Sequence, residues 1–331
     1  KFSHLFLARM TVGIGEATLS PCALSMITDS FPEKNRGKPI GFYTMGMSFG
    51  PAIAYLSGAA VLFWSQSIDS IQIPLIGDIA PWQLAFIVVG FPGMLLAIFV
   101  YFLKEPPRKE DPNLENKEKP TIVEALKYFY SKAGAMCSFI LPACVMTVIA
   151  YSQAWLAPMF ERTWGMAPSQ YALINGLLLL CLGPISNNTA GWLADYLRKK
   201  GYEDGGLRVV ILGAIILVPT AIIAPLMPNP TVCFVLLGIN LIGIALTSSS
   251  ALIALLRIVP SNIRGVSVAF YLMCISITGL LLGPTAIGIL NDYVFGVEGV
   301  RYSMALVPFI LGVPVLLMIP FMRKRYLKEL K

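Results

Sequence analysis

Arg9 and Glu16 are two charged residues in the middle of the apolar stretch 5–27. A charged side chain at the centre of a bilayer costs several kcal/mol, about 2.5–3.5 for Arg on the mildest scale. Seven residues of α-helix turn through about 700°, so the two side chains lie within about 20° of each other and roughly 10.5 Å apart along the axis. One polar face therefore carries both charges, and an intramembrane pair of this kind predicts a functional site.

The composition indicates that most of the chain lies in a membrane. Hydrophobic residues make up 56% of the 331 residues and charged residues only 13%, and the mean hydropathy is +0.72. A soluble domain carries about 25% charged residues. Stretches with few or no charges recur at lengths that can cross a bilayer, which needs about 20 residues. We expect nine membrane spans, at about 5–31, 39–64, 82–103, 134–160, 168–194, 209–227, 231–256, 266–290 and 303–322.

The connections between these spans alternate between rich and poor in Lys and Arg. The rich connections and the C-terminal tail hold 21 of the 25 basic residues, and the poor connections hold two, Arg162 and Arg301. Basic connections face the cytoplasm, so the pattern places the C-terminus in the cytoplasm. It also explains the net charge of +7 without a nucleic-acid partner.

An internal repeat predicts that the chain is part of a longer protein. Residues 14–48 and 242–276 align without a gap and are identical at thirteen of 35 positions, and both copies contain Pro-x3-Arg-Gly followed by Phe-Tyr. Parallel repeats are typical of transporters made of two similar halves. Since three spans precede the second copy, we expect three helices before the first, in about a hundred further residues. The chain would then hold helices 4–12 of twelve.

This repeat divides the chain into three parts. We expect a partial N-terminal bundle at 1–103 (helices 4–6), a cytoplasmic linker at 104–132, and a complete six-helix bundle at 133–331 (helices 7–12). The apolar residues of 120–132 have helical spacing, which predicts a short helix on the membrane surface.

The segment 191–201 reads Gly-Trp-Leu-Ala-Asp-Tyr-Leu-Arg-Lys-Lys-Gly. It resembles the Gly-x-Leu-Ala-Asp…Arg-Lys gating motif of the major facilitator superfamily, in its second-half position. The resemblance implies gating roles for Gly191, Asp195, Arg198 and Lys199. Asp195 would pair with an Arg or cap a neighbouring helix, and Gly191 would permit close helix approach. The alternative is an ordinary basic cytoplasmic loop.

Arg9-x3-Gly13-x-Gly15-Glu16 resembles the fourth-helix signature of the spinster-like branch of that superfamily, whose members move sphingolipids and lysophospholipids. The segments 104–108 (Lys-Glu-Pro-Pro-Arg) and 260–296 look like bacterial members of this branch. The resemblance implies that Arg9 and Glu16 form a proton-coupling cluster with an acidic residue of helix one, which lies outside this sequence. The alternative is a structural ion pair that locks helix four to a neighbour.

Polar residues within the second-half spans are candidates for the lining of a central cavity. They are Tyr151, Gln153, Asn175, Asn240 and Tyr271. Two Gly-x3-Gly-Pro motifs, at 46–51 and 279–284, are interpreted as helix-packing sites.

The sequence argues against an enzyme. The only His, His4, cannot form a metal site or a nucleophile–base pair alone, and Gly-x-Ser-x-Gly at 46–50 lies inside a membrane helix rather than in a strand-turn-helix. No cofactor or metal is expected.

The sequence thus predicts an all-α membrane protein with the major facilitator superfamily fold, resident in a bacterial inner membrane. We expect a monomeric, proton-coupled secondary active transporter of a small amphipathic or anionic organic solute, including lipid-like ones. The alternatives are a transporter of a hydrophilic organic acid, sugar acid or drug, and a non-transporting scaffold or sensor with the same fold.

Overall fold

The computed structural model describes residues 2–31, 37–65, 71–73, 77–79, 81–102, 127, 130–131, 133–259 and 263–330. These residues form long α-helices, as the sequence predicts. The helices are α1 (Phe2–Ser30), α2 (Gly37–Ser65), α3 (Pro81–Tyr101), α4 (Ala133–Tyr151), α5 (Leu156–Trp164), α6 (Pro168–Lys199), α7 (Gly205–Ile223), α8 (Pro230–Ile258), α9 (Arg264–Leu290) and α10 (Val300–Leu330).

One short hairpin departs from the expected all-α architecture. Strands β1 (Ile71–Ile73) and β2 (Gly77–Ile79) pair antiparallel between α2 and α3, with Ile71 opposite Ile79. A two-stranded hairpin is marginally stable alone. It therefore adds a small structured connection and leaves the fold class unchanged.

Six helical segments of the described residues are long and apolar enough to cross a membrane, and all begin at or after Phe139, in the predicted six-helix bundle. They are Phe139–Trp164, Pro168–Lys199, Gly205–Leu226, Pro230–Ile258, Val266–Phe295 and Val297–Lys328. In the first half, the described apolar stretches Phe49–Trp64 and Phe86–Tyr101 are shorter. The six segments agree with the last six predicted spans, whereas the total of nine and the three-part division stay predictions.

Two of the six spans contain irregular turns. A 3₁₀ turn, Ser152–Trp155, joins α4 to α5, and a π turn, Asn291–Phe295, follows α9. The indole Nε1 of Trp155 donates a hydrogen bond to the carbonyl oxygen of Pro284, at 2.9 Å. This bond ties the first irregular turn to α9.

Glycines set the closest helix contacts of the second half. A Cβ on Gly213 of α7 would lie 2.8 Å from the backbone nitrogen of Thr247 on α8, and one on Gly283 of α9 would lie 2.8 Å from the carbonyl oxygen of Val148 on α4. The packing interpretation of the 279–284 motif is therefore confirmed. A Cβ on Gly46 or Gly50 would have no described atom of another element within 4 Å, so the packing role of these two residues stays a prediction.

Helix α2 packs against α6 and thereby joins the first part of the chain to the second. Leu56 and Tyr55 of α2 lie within about 3 Å of the position that a Cβ on Gly176 of α6 would occupy. Helix α1 is exposed from residue 3 to residue 16. The linker 104–132, with its predicted surface helix, lies outside the described residues except for Lys127, Tyr130 and Ser131, which are helical.

Candidate functional site

Arg9 and Glu16 lie two turns apart on α1, and both side chains are exposed. The seven-residue spacing on a continuous helix keeps them on one face, as expected. Their helix has few neighbours in the described structure, because α1 touches mainly α2 and α3. The face that carries both charges is therefore open.

The guanidinium of Arg9 contacts an aromatic ring rather than a carboxylate. Its Cζ lies 5.6 Å from the centroid of the Phe86 ring on α3. A guanidinium over an aromatic face gains about 0.5–1 kcal/mol at an exposed site. No ion pair joins Arg9 to Glu16 within 4 Å among the described residues. The alternative of a structural ion pair that locks this helix to a neighbouring one stays a prediction.

Asp195 lies in the last turn and a half of α6, next to the basic end of that helix. Its Oδ1 is 3.4 Å from Nη2 of Arg198, and the two side chains are 65% and 59% exposed. Exposed pairs of this kind contribute about 0–1 kcal/mol. The contact agrees with the expected pairing to an Arg, and it leaves Asp195 accessible to a second partner. Lys199 is the last residue of α6 and is also exposed.

Gly191 has no close helix neighbour among the described residues, so the close approach expected at this glycine stays a prediction. No described heavy atom lies within 4 Å of the position its Cβ would take. Because glycine has no side chain, the surface of α6 at Gly191 has open space among the described residues.

Asn240 and Gln153 bond to each other inside the second-half bundle. Asn240 is 0% exposed, and its Oδ1 accepts from Nε2 of Gln153 at 2.5 Å. Its Nδ2 donates to the carbonyl oxygen of Leu217 at 3.0 Å and to Oγ1 of Thr220 at 2.8 Å. A cavity of about 20 Å³ beside them has room for one water molecule. Every polar atom of the Asn240 side chain is used to join α7, α8 and the 3₁₀ turn. A role of Asn240 and Gln153 in the lining of a central cavity stays a prediction.

Tyr271 lies in the core of the second-half bundle. It is 3% exposed and its ring lies 6.0 Å from that of Phe139. Tyr151 is 39% exposed at the end of α4, and Asn175 and Gln153 are both half-buried. These three of the five predicted polar residues therefore present at least partly accessible side chains, and the cavity-lining role of all five stays a prediction.

Asp204 is a buried acid that the sequence reasoning missed. The carboxylate accepts a 2.7 Å hydrogen bond from Nε of Arg208 at Oδ1 and another from Nε of Arg323 at Oδ2, and its side chain is 3% exposed. Burial alone would raise the pKa of Asp204, but the bonds from Arg323 and Arg208 outweigh burial and lower it. The only signal in the sequence was Asp and Arg spaced i, i+4; Arg323 is 119 residues away.

A tyrosine pair across α2 and α6 was missed as well. The rings of Tyr55 and Tyr171 meet edge to face at 6.3 Å. Tyr171 is 2% exposed and stands among Phe160, Trp164 and Phe234. These aromatic residues pack around Tyr171, so Tyr55 and Leu56 of α2 contact a well-packed surface of α6.

The described residues contain no group of three or more His, Cys, Asp or Glu that could hold a metal ion. Of the acids described above, Asp195 contacts one arginine and Asp204 contacts two.

Comparison with known proteins identifies the relatives of this chain. The family model of the Major Facilitator Superfamily matches residues 2–279. An MFS-type efflux pump of Mycolicibacterium smegmatis is 25% identical over 303 residues, which are 87% of this chain and 63% of that protein. A hexuronate transporter of Bacillus subtilis is 23% identical over 302 residues, which are 88% of this chain and 67% of that protein.

A solved structure is similar over nearly the whole chain. It is a bacterial homologue of the human lysosomal transporter spinster, in an inward-facing and unoccupied conformation. The TM-score is 0.79 and the sequence identity 25%, with 99% of this chain and 79% of that chain covered. The chain thus spans about two thirds of the curated relatives' length, 63% and 67%.

Proposed function

The chain belongs to the Major Facilitator Superfamily, and from this premise we propose that the protein is a proton-coupled transporter of an anionic organic solute. Its relatives are membrane transporters. The solute would bind between two six-helix halves that rock about it, with the C-terminus in the cytoplasm of a bacterial cell. The protein would act as a monomer.

The open polar face of α1 is the observation that carries this proposal. Glu16 supplies a carboxylate that can take up a proton, and Arg9 supplies a cation that is not paired to an acid among the described residues. At an effective dielectric constant of 20, an ionised Glu16 would repel an anion held at Arg9, roughly 10 Å away, by about 1.7 kcal/mol. Protonation of Glu16 would remove that repulsion and raise the affinity of the Arg9 site for an anionic head group by roughly tenfold. This linkage couples proton and anion binding.

The contact between α2 and α6 supports alternating access. Tyr55 and Leu56 pack on Tyr171 and Gly176 in the halves of α2 and α6 that the charge alternation places towards the outside. This contact would close the outer end of the path. The similarity to an inward-facing structure is consistent with closure at that end.

Asp195, Arg198 and Lys199 would act at the opposite end, as gating residues. The Asp195–Arg198 pair is weak and exposed, so it can open when another helix approaches. Gly191 leaves space for that approach.

The relatives favour two substrate classes. The similarity to a bacterial spinster homologue favours an amphipathic, lipid-like anion, and the similarity to a hexuronate transporter favours a sugar acid. Both carry an anionic group that Arg9 could bind. A non-transporting scaffold remains the alternative from another class.

The proposal is tested with the full-length protein in proteoliposomes with an imposed pH gradient. Uptake is measured for a lysophospholipid, a hexuronate and a neutral sugar. Gradient-driven movement of either anion, together with weaker anion binding by Arg9→Ala but not by the matched variant Arg257→Ala, would support it. Absence of movement and binding for both anions would favour the scaffold, and equal effects of the two Arg variants would remove Arg9 from the site.

A further inference from the structure

Three basic side chains at one end of the second-half helices lie over aromatic rings. Nζ of Lys200 is 4.7 Å from the centroid of the Tyr196 ring, Cζ of Arg325 is 4.4 Å from that of Phe321, and Cζ of Arg208 is 3.8 Å from that of Tyr202. We call these pairs the aromatic–basic rim; its residues are Tyr196, Lys200, Tyr202, Arg208, Phe321 and Arg325.

Two of the pairs have the same spacing, an aromatic residue followed four residues later by a cation, at the ends of two different helices. An aromatic residue precedes its cation by four residues at the end of α6 and again near the end of α10. Residues four apart share a helix face, so each ring lies one turn deeper along the helix than its cation. Tyr196 is 40% exposed and Phe321 is 48% exposed, which leaves the rings accessible to an apolar phase.

Asp204, which follows the end of α6 by five residues, ties the start of α7 to α10 at this end of the bundle. Its carboxylate bonds to Arg208 at the start of α7 and to Arg323 on α10, at 2.7 Å each. The rim pairs of α6, of the following turn and of α10 therefore belong to one end of the bundle.

The charge of this end is strongly positive. Asp204 is buried between its arginines and Asp195 is paired with Arg198. Among the side chains that the structure describes at this end, Glu203 is an exposed acid without a described ion pair. The exposed cations at the same end are Lys199, Lys200, Arg257, Lys324, Arg325 and Lys328.

We propose that the aromatic–basic rim binds the headgroup of an anionic phospholipid. The rings sit where headgroup meets acyl chain, as Tyr and Trp do in membrane proteins, and each holds its cation one turn closer to the aqueous phase, at the level of the phosphate. Trp192, 64% exposed and stacked on Tyr196 at 5.4 Å, extends the apolar part of the surface. The proposal rests on the membrane orientation of the proposed function, because the anionic lipid surface attracts basic clusters on the cytoplasmic side.

The test compares two double variants that lose the same charge. K200Q/R325Q removes the cations of the two i, i+4 ring pairs, whereas K324Q/K328Q removes two exposed cations of α10 for which no ring contact is described. The full-length protein and both variants are titrated with dioleoyl phosphatidylglycerol and with dioleoyl phosphatidylcholine, and bound lipid is counted by native mass spectrometry.

We expect the unmodified protein to prefer phosphatidylglycerol, and K200Q/R325Q to lose about tenfold or more of that affinity, since each surface cation contributes roughly fivefold. K324Q/K328Q should lose clearly less. Equal losses in both variants, no preference for phosphatidylglycerol in the unmodified protein, or full displacement of the lipid by inorganic phosphate would each overturn the proposal. Lipid binding is measured without transport, so this result is independent of the transport assay.

Discussion

Asp195 and Asp204 show at the residue scale how differently two nearby acids can be used. Asp204 is almost fully buried between two arginines, whereas Asp195 makes one long contact in water. Removing one partner of a buried charged network leaves the others without compensation. Asp204 is thus a structural acid, whereas Asp195 can exchange its contact with Arg198 for another partner.

Asp204→Asn is predicted to lower the free energy of unfolding by about 1–3 kcal/mol, because it weakens two charge-assisted hydrogen bonds. The matched variant Asp195→Asn should change it by less than about 1 kcal/mol. Thermal unfolding of both variants in the same detergent measures the difference. Equal effects would show that the Asp204 network does not stabilise the fold.

The same network predicts a pH dependence. Because the folded-state pKa of Asp204 lies below the unfolded value, its contribution to stability is complete above the unfolded value, about 3.9. It is lost as the pH falls through the folded-state pKa. Asp204→Asn should therefore have a flatter stability profile than the unmodified protein below about pH 4. Superimposable slopes would contradict the assignment.

At this scale the sequence identified unusual residues but did not predict which side chains they contact. Arg9 and Glu16 were identified because charge is unusual in an apolar stretch, whatever its neighbours are. The hydrogen bonds of Asn240 were not predicted, because an inward-facing Asn has the same sequence signal whether it faces a solute or bonds within a bundle. Only the positions of Gln153 and Thr220 distinguish the two cases.

At the scale of elements, glycines decide how closely helices approach. Gly213 and Gly243 bring α7 and α8 together until a Cβ on either would lie 2.8 Å from backbone nitrogen. Backbone atoms cannot move aside as a flexible side chain can. Helix α6, by contrast, has open space at Gly191.

Gly213→Ala is predicted to destabilise the protein by about 1–3 kcal/mol, since the added methyl group forces the two helices apart. Gly191→Ala is the matched control and should be neutral or stabilising by up to about 1 kcal/mol, because Ala favours helix where there is room. Denaturation midpoints of the two variants test this. A neutral Gly213→Ala would mean that the α7–α8 contact is looser than described.

Hydropathy predicted the six long helices of the second half within a few residues, because a bilayer imposes both length and composition on a span. The 3₁₀ turn at Ser152–Trp155 and the paired strands 71–73 and 77–79 were not predicted. The 3₁₀ turn contacts another element through the bond from Trp155 to Pro284. The hydrophobic periodicity of one segment does not reveal contacts with other segments.

At the scale of the whole molecule, the contact of α2 with α6 joins the two parts of the chain. Gly176 faces Leu56 with no room for a Cβ, since that atom would lie 2.9 Å from Cγ of Leu56. Any larger side chain here must push the two helices apart. A substitution of Gly176 therefore changes the relative position of α2 and α6.

Gly176→Leu is predicted to hinder closure of this end and to slow transport by the full-length protein at least about tenfold. Gly58→Leu, on α2 but with open space around it, should retain most of the rate. Initial rates in proteoliposomes measure the effect, with binding of the solute as a check on folding. Normal transport by Gly176→Leu would exclude a gating role for the α2–α6 contact.

Proton coupling through Glu16 is the central claim, and it is tested most directly by Glu16→Gln in the full-length protein, measured as solute movement driven by an imposed pH gradient. The substitution keeps the shape of the side chain and removes the titrating group. We predict loss of gradient-driven transport with solute binding retained, while the matched variant Glu298→Gln, an exposed acid before α10, transports normally. Full gradient-driven transport by Glu16→Gln would contradict the account.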